Sequence, residues 1–198
     1  VRKVASAQGK FIRQSGGRGQ FGDVTLRIEP LEAGSGLIFE SEITGATLPT
    51  EYYGPVEQGF KEAAQSGVVA GHPVVDIKAI LIDGSHHEVD SSEVAFKIAS
   101  SMAFKQACQK ASPFILEPVM LMEVVTPEEF LGDVLGDLQS RRAQVQSMEP
   151  QAGLQIVKAH VPLAETFQYA TILRSNTTGR ASFTQELDHY APAPMKDK

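Results

Sequence analysis

Pro127, Leu138 and Ser140 recur as Pro162, Leu173 and Ser175, each pair 35 residues apart. This repeat narrows the fold more than any other feature. Each copy reads as an apolar strand, a proline at the helix start, a helix, a Ser/Arg turn and a second strand. Proline suits the first helical position because its missing N–H has no partner there. In the first helix Phe130, Val134, Leu135 and Leu138 form the apolar stripe. In the second, the period assigns it to Leu163, Phe167, Ala170 and Leu173. Two strand–helix–strand halves of this size make a split βαβ, ferredoxin-like sandwich.

Upstream, Pro113 and Pro118 mark a boundary. The 198 residues divide there into domains 1–118 and 119–198, an α+β chain of two domains. In the first domain, Gly9 to Gln14 reads as an extended run. Phe21 to Glu29 alternates, with Phe21, Val24, Leu26 and Ile28 mostly on one side. Between them lies Ser15-Gly16-Gly17-Arg18-Gly19-Gln20, so the segment reads as a β-hairpin with a long, Gly-rich tip. Leu37 to Ile43 alternates again. Glu51 to Gln65 follows a helical period with Val56, Phe60, Ala63 and Ala64 on one face and Gly67 at the C-cap. Val74 to Ile82 is a further strand, followed by a polar turn from Asp83 to Glu88. Asp90, with Glu93 three residues on, predicts a capped helix running to about Lys110, apolar on most sides and therefore buried.

Composition matters mainly for what it excludes. The net charge of -6 is unlike that of a basic nucleic-acid coat. Yet before Asp23 the chain carries Arg2, Lys3, Lys10, Arg13 and Arg18 and no acid, so a local phosphate contact fits. A single cysteine, Cys108, rules out a disulfide framework or a Cys-rich zinc site and fits a reducing cytosol. No apolar run reaches the roughly 18 residues of a membrane span, and no signal peptide opens the chain. Val1 is not an initiator methionine, so a processed chain or a fragment is expected.

Gly17-Arg18-Gly19-Gln20-Phe21-Gly22-Asp23-Val24 satisfies the GxGxxGxV pattern of a kinase phosphate loop. Neither HRD nor DFG accompanies it, so the match is a decoy. A strand follows these glycines where a dinucleotide fold needs a helix. His86 and His87 stand beside Asp83, Glu88 and Asp90, but HExxH is absent and adjacent strand side chains point oppositely, so no metal site is assigned. No GxSxG elbow supports Ser/His/Asp catalysis. His72, His160 and His189 read as structural or surface residues. Two tips remain, the Gly-rich turn at 15–20 and the polar turn at 83–90. Glycine lets backbone N–H groups approach an anion, and Arg18 can fork onto a phosphate. Such tips suit RNA backbone contact better than base reading. On pattern alone, two ordinary surface loops are the commoner outcome.

The run Gly9 to Gly22, with Gly71-His72-Pro73-Val74-Val75-Asp76, resembles the fourth domain of translation elongation factor G. Asp83 to Glu93 is similar to that domain's second tip and following helix, and Leu116-Glu117-Pro118 to its domain junction. Thr126 to Glu129, Gly132 to Leu138, Arg141-Arg142, Val161 to Glu165, Tyr169-Ala170-Thr171, Leu173-Arg174-Ser175 and Gly179-Arg180 resemble the fifth domain. The resemblance covers nearly the whole chain, in order.

It implies a C-terminal fragment of a five-domain ribosomal GTPase. The first domain is then a ribosomal-protein-like βαβ domain with a left-handed crossover, where the general rule expects a right-handed one. The fragment is implied to be non-catalytic and to hold no cofactor or metal; GTP and Mg belong to the parent. Ser15, Gly16, Gly17, Arg18, Gly19, Gln20, His86 and His87 are implied to contact the mRNA–tRNA complex in the decoding centre, as a tRNA mimic. Arg141, Arg142, Arg174 and Arg180 are implied to contact large-subunit rRNA. The implied protein is cytoplasmic and monomeric, has no membrane partner, engages both ribosomal subunits and drives translocation. His86 stands where the family commonly has Tyr, and Tyr53-Gly54-Pro55 is also unusual. Both are compatible with a paralogue specialised for ribosome recycling or ribosome protection.

Overall fold

Alternating residues in the first half of the chain become a four-stranded sheet. The computed structural model describes residues 1–14 and 16–195. Strands β1 (Ala5–Arg13) and β2 (Gln20–Pro30) pair antiparallel, from Ala5 opposite Ile28 to Arg13 opposite Gln20. The hairpin predicted around the Gly-rich tip therefore forms. Val24, Leu26 and Ile28 are fully buried, as the alternation requires. Strand β3 (Leu37–Ser41) pairs parallel to β4 (Ile77–Ser85), and β4 pairs antiparallel to β2, giving the order β1-β2-β4-β3.

Helix α1 (Tyr53–Ser66) connects β3 to β4 and buries Val56, Phe60, Ala63 and Ala64, the predicted face. Gly67 ends it at φ +82°, where L side chains are strained, and its N–H bonds the Ala63 carbonyl at 3.0 Å. Pro55 sits in the first turn, where no N–H is missed. Helix α2 (Glu93–Lys110) packs on β1, β2 and α1. The approach is close: a Cβ on Gly9 would lie 2.0 Å from the Ala99 carbonyl oxygen, and one on Gly22 2.5 Å from that of Ala95. Cys108 is buried in this helix, and burial pushes its thiol pKa up, which keeps it unreactive.

Two local expectations are corrected here. The strand predicted at 74–82 is shifted, so Asp83, Gly84 and Ser85 belong to β4 and the polar turn begins at His86. The α2 cap is Ser92, not Asp90: its side chain accepts the Ala95 N–H, while the Asp90 carbonyl accepts the Phe21 N–H. Residues 88–90 form a turn and Ser91 bridges Phe21 in parallel, so the helix starts after it.

The division falls between Val1–Ile115 and Leu116–Lys198. Pro118, the expected boundary, lies in strand β5 (Leu116–Pro127) opposite Tyr190. The second unit continues with α3 (Leu131–Ser140), β6 (Gln144–Gln151), β7 (Leu154–Pro162), α4 (Tyr169–Asn176) and β8 (Ser182–Pro192). The sheet order β6-β7-β5-β8, antiparallel throughout, is the split βαβ arrangement the repeat predicts.

Pro127 and Pro162 nevertheless end their strands and precede short 3-10 turns; neither is the first helical residue. The second apolar stripe is also corrected. Gln168 adopts φ +60°, which resets the helical phase, so Tyr169 and Leu173 point inward while Phe167 is 72% exposed and Ala170 is exposed.

Candidate functional site

Pairing of Asp23 with Ser85 and Val24 with Gly84 brings the start of β2 and the end of β4 to one end of the first sheet. The two predicted tips therefore lie side by side. Ser15 lies outside the described residues. Gly16 is exposed at φ +53°, a conformation that favours glycine, and Gly17 is exposed in open space. Gln20 opens β2 opposite Arg13.

The tips are tied together by three contacts. The Phe21 N–H donates to the Asp90 carbonyl at 2.9 Å. The Arg18 Nε–H donates to the Val89 carbonyl at 3.2 Å. The His87 ring stacks on Phe21, with centroids 3.8 Å apart and planes 7° from parallel. Phe21 is itself buried, and the Lys10 ammonium lies 5.8 Å from its ring centre. The turn carrying His87 is closed by its own bonds: the His87 N–H donates to Ser91 Oγ at 2.7 Å, and the Ser91 N–H to the His87 carbonyl at 3.1 Å. His86 points elsewhere, its Nδ1 3.2 Å from the Thr47 carbonyl oxygen.

The glycines of the kinase-like pattern have three different jobs. Gly22 lies under α2, Gly19 sits where a Cβ would be 3.3 Å from the Asp90 side chain, and Gly17 alone of the three is in open space. No phosphate cradle of the kinase type is built from them. The end of the sheet presents the backbone at Gly16 and Gly17, the outer part of the Arg18 guanidinium, the imidazole of His87, and exposed Lys10 and Arg13, together with exposed Glu88 and Val89. The nearby Asp23 carboxylate accepts from Gln8 Nε2 and Ser85 Oγ, each at 2.7 Å. Cationic and backbone donors with one stacked ring suit an anionic, ring-bearing polymer and carry no bond-breaking chemistry.

The four arginines of the second unit are not equivalent. Arg141 is 13% exposed and held internally: its Nε meets Asp137 at 2.9 Å, one terminal nitrogen donates to the Glu165 carbonyl at 2.6 Å, and the guanidinium lies over the Tyr169 ring. Arg142 grips both oxygens of Glu117, at 2.9 and 3.1 Å, and also reaches Glu165; the hydrogen bond to Glu117 is the main cause raising its pKa. Arg180 pairs with Glu129 and covers Phe130. Arg174, in the last turn of α4, is exposed and has no ion pair among the described residues. Beneath Arg141, burial and then the Asp137 charge push the Tyr169 phenol well above its usual pKa, against the opposing pull of Arg141. Its hydroxyl is buried without a partner among the described residues.

The sequence pattern missed Phe21, the Val89 carbonyl and the Asp90 carbonyl as the groups that join the tips. A large aromatic directly after a Gly-rich tip was the available signal for the first. The two carbonyls carry no sequence signal at all.

Two family patterns match the chain. Elongation factor G, domain IV, matches residues 1–112, and Elongation factor G C-terminus matches residues 114–198. A crystal structure of a protein from Thermus thermophilus is similar, with 48% identity and a TM-score of 0.87; the similarity covers 98% of this chain and 29% of that one. The chain thus spans 29% of the length of that protein. No helix among the described residues is long and apolar enough to cross a membrane.

Proposed function

The chain belongs to the elongation factor G family, and from that premise we propose that it is the decoding-centre arm of a ribosomal translocation GTPase. Domains IV and V of this family are non-catalytic parts of a translation GTPase. In the proposed parent, GTP and Mg are held by domains outside this chain. The arm, mimicking a tRNA, enters the decoding centre of the small subunit and holds the mRNA–tRNA complex as it moves by one codon. The second unit faces large-subunit rRNA, with Arg174 as its free phosphate contact. The protein acts as a cytoplasmic monomer.

The observation that carries this reading is the joint of the two tips: Arg18 bonded to Val89 and His87 stacked on Phe21. A rigid pair of fingers transmits force to a sugar–phosphate chain, whereas two independent loops would give way. The acidic body with its locally basic end also fits an RNA mimic. In the full-length factor, His87→Ala and Arg18→Ala should slow codon movement and leave multiple-turnover GTP hydrolysis largely intact. Unchanged codon-movement rates in both variants would overturn the assignment. Ribosome binding should weaken with salt, because phosphate contacts release counterions.

His86 in the family's Tyr position favours a second reading, a paralogue specialised for recycling or protection. Its ring is turned to the Thr47 carbonyl and adds nothing to the exposed stack. A full-length factor that splits ribosomes but fails to support peptide synthesis would select this reading.

A further inference from the structure

In the second unit, His160 lies on β7 between two buried residues, Ala159 and Val161, and so faces away from the core. Strand β5 separates β7 from β8. The β5–β8 register shifts between Val119 and Met120: Val119 faces His189, Met120 faces Leu187, and Asp188 is the extra residue. Such a bulge places two residues of one strand against one of its partner and re-aims a side chain. Here it overrides the strand alternation that would send Asp188 and His189 to opposite faces. Asp188 Oδ2 lies 2.6 Å from His189 Nδ1 and 3.4 Å from His160 Nε2. The two imidazole centres are 5.2 Å apart, and the three ligand atoms lie within 4.8 Å of one another.

We propose that His160, Asp188 and His189 bind one zinc-type divalent transition-metal ion on the solvent face of this sheet. Two imidazoles and one carboxylate are the donor set such ions prefer, whereas Mg2+ and Ca2+ require mostly oxygen. With bonds of about 2.0 Å, neighbouring ligand atoms around a tetrahedral ion sit about 3.3 Å apart. The His160–Asp188 spacing already matches this. The shorter His189–Asp188 spacing opens when the ion displaces the proton held in that hydrogen bond. The fourth position goes to water, since Asp188 and His189 stand 35% and 45% exposed. The ion would pin the edge strand β8 to β7 across β5. The polar turn in the first unit makes no comparable cluster, because His86 is turned to Thr47 and His87 lies flat on Phe21.

The chain without a polyhistidine tag is titrated calorimetrically with Zn2+, and with Mg2+ as the hard-cation comparison. One Zn2+ per chain is expected, with no detectable Mg2+ binding at the same concentration. His160→Ala, His189→Ala and the near-isosteric Asp188→Asn should each weaken Zn2+ binding at least about tenfold. His86→Ala and His87→Ala should leave it unchanged. Zn2+ should raise the melting temperature of the parent chain and not that of Asp188→Asn, whose native circular dichroism is checked beforehand. Absence of Zn2+ binding overturns the proposal. So does binding that survives both His160→Ala and His189→Ala, or binding that depends on His86 or His87.

Discussion

Arg18 in the first unit gives its Nε–H to the Val89 carbonyl and faces no carboxylate among its described contacts. Arg142 in the second unit is held by three contacts to Glu117 and Glu165. Both are exposed arginines implied by family resemblance to touch RNA. At the tips, the cation is positioned by a neutral carbonyl and keeps its full charge for an incoming anion. In the second unit, Arg141, Arg142 and Arg180 are neutralised by Asp137, Glu117 and Glu129, so an RNA phosphate would have to displace a carboxylate already in place. Positive charge in a sequence is therefore not positive potential at a surface.

The contrast is broken most severely at Phe21. Its ring is buried and is the platform for His87. Phe21→Ala should cost the first unit about 3–5 kcal/mol, read by chemical denaturation, with the second unit unaffected. A cost below about 1 kcal/mol would mean the ring anchors neither tip.

Arg141→Ala is next. It strips a mostly buried guanidinium from Asp137 and from the Glu165 carbonyl, and should destabilise the second unit by about 2–4 kcal/mol. Arg174→Ala should stay within about 0.5 kcal/mol, as exposed substitutions do. Equal losses for the two would erase the distinction between structural and free arginines.

Tyr169 sharpens the same network through pH. Its folded pKa is raised above the ordinary value of 10.0 by burial. Below about pH 10 both folded and unfolded chains keep the phenolic proton and there is no pH cost. Above it the unfolded chain loses the proton first, so stability of the second unit falls by about 1.4 kcal/mol per pH unit. Tyr169→Phe should abolish that slope in alkaline melts. At neutral pH it should leave stability unchanged or raise it by up to about 1 kcal/mol, because the hydroxyl it removes is unpartnered.

His87→Ala should have only a small effect on folding, about 1 kcal/mol or less from the lost ring stack. A loss above about 2 kcal/mol would mark His87 as part of the core instead of the exposed tip.

Periodicity made β2 and α1 legible, because burial there follows a simple count along one element. It failed at α4, where one left-handed residue, Gln168, shifted the phase and left Phe167 outside. It failed at the start of α2 for a different reason. Asp90 and Ser92 are both good caps, and the choice was made by the pairing of Ser91 with Phe21, 70 residues away. The tip residues themselves were legible as small and polar. Their joining was not, since the Val89 and Asp90 carbonyls look like those of any residue.

The amino-acid order by itself determined two sheet-bearing units, the Gly-rich hairpin, the repeated strand–helix–strand halves and the family they resemble. These depend on spacing, composition and turn chemistry, which act over a few residues. Tertiary structure alone decided which arginines remain free, how the two tips are fastened, and that His160 meets Asp188 and His189 across an intervening strand. Each of those depends on long-range contacts that no local window of sequence contains, and the last also on strand register and a bulge.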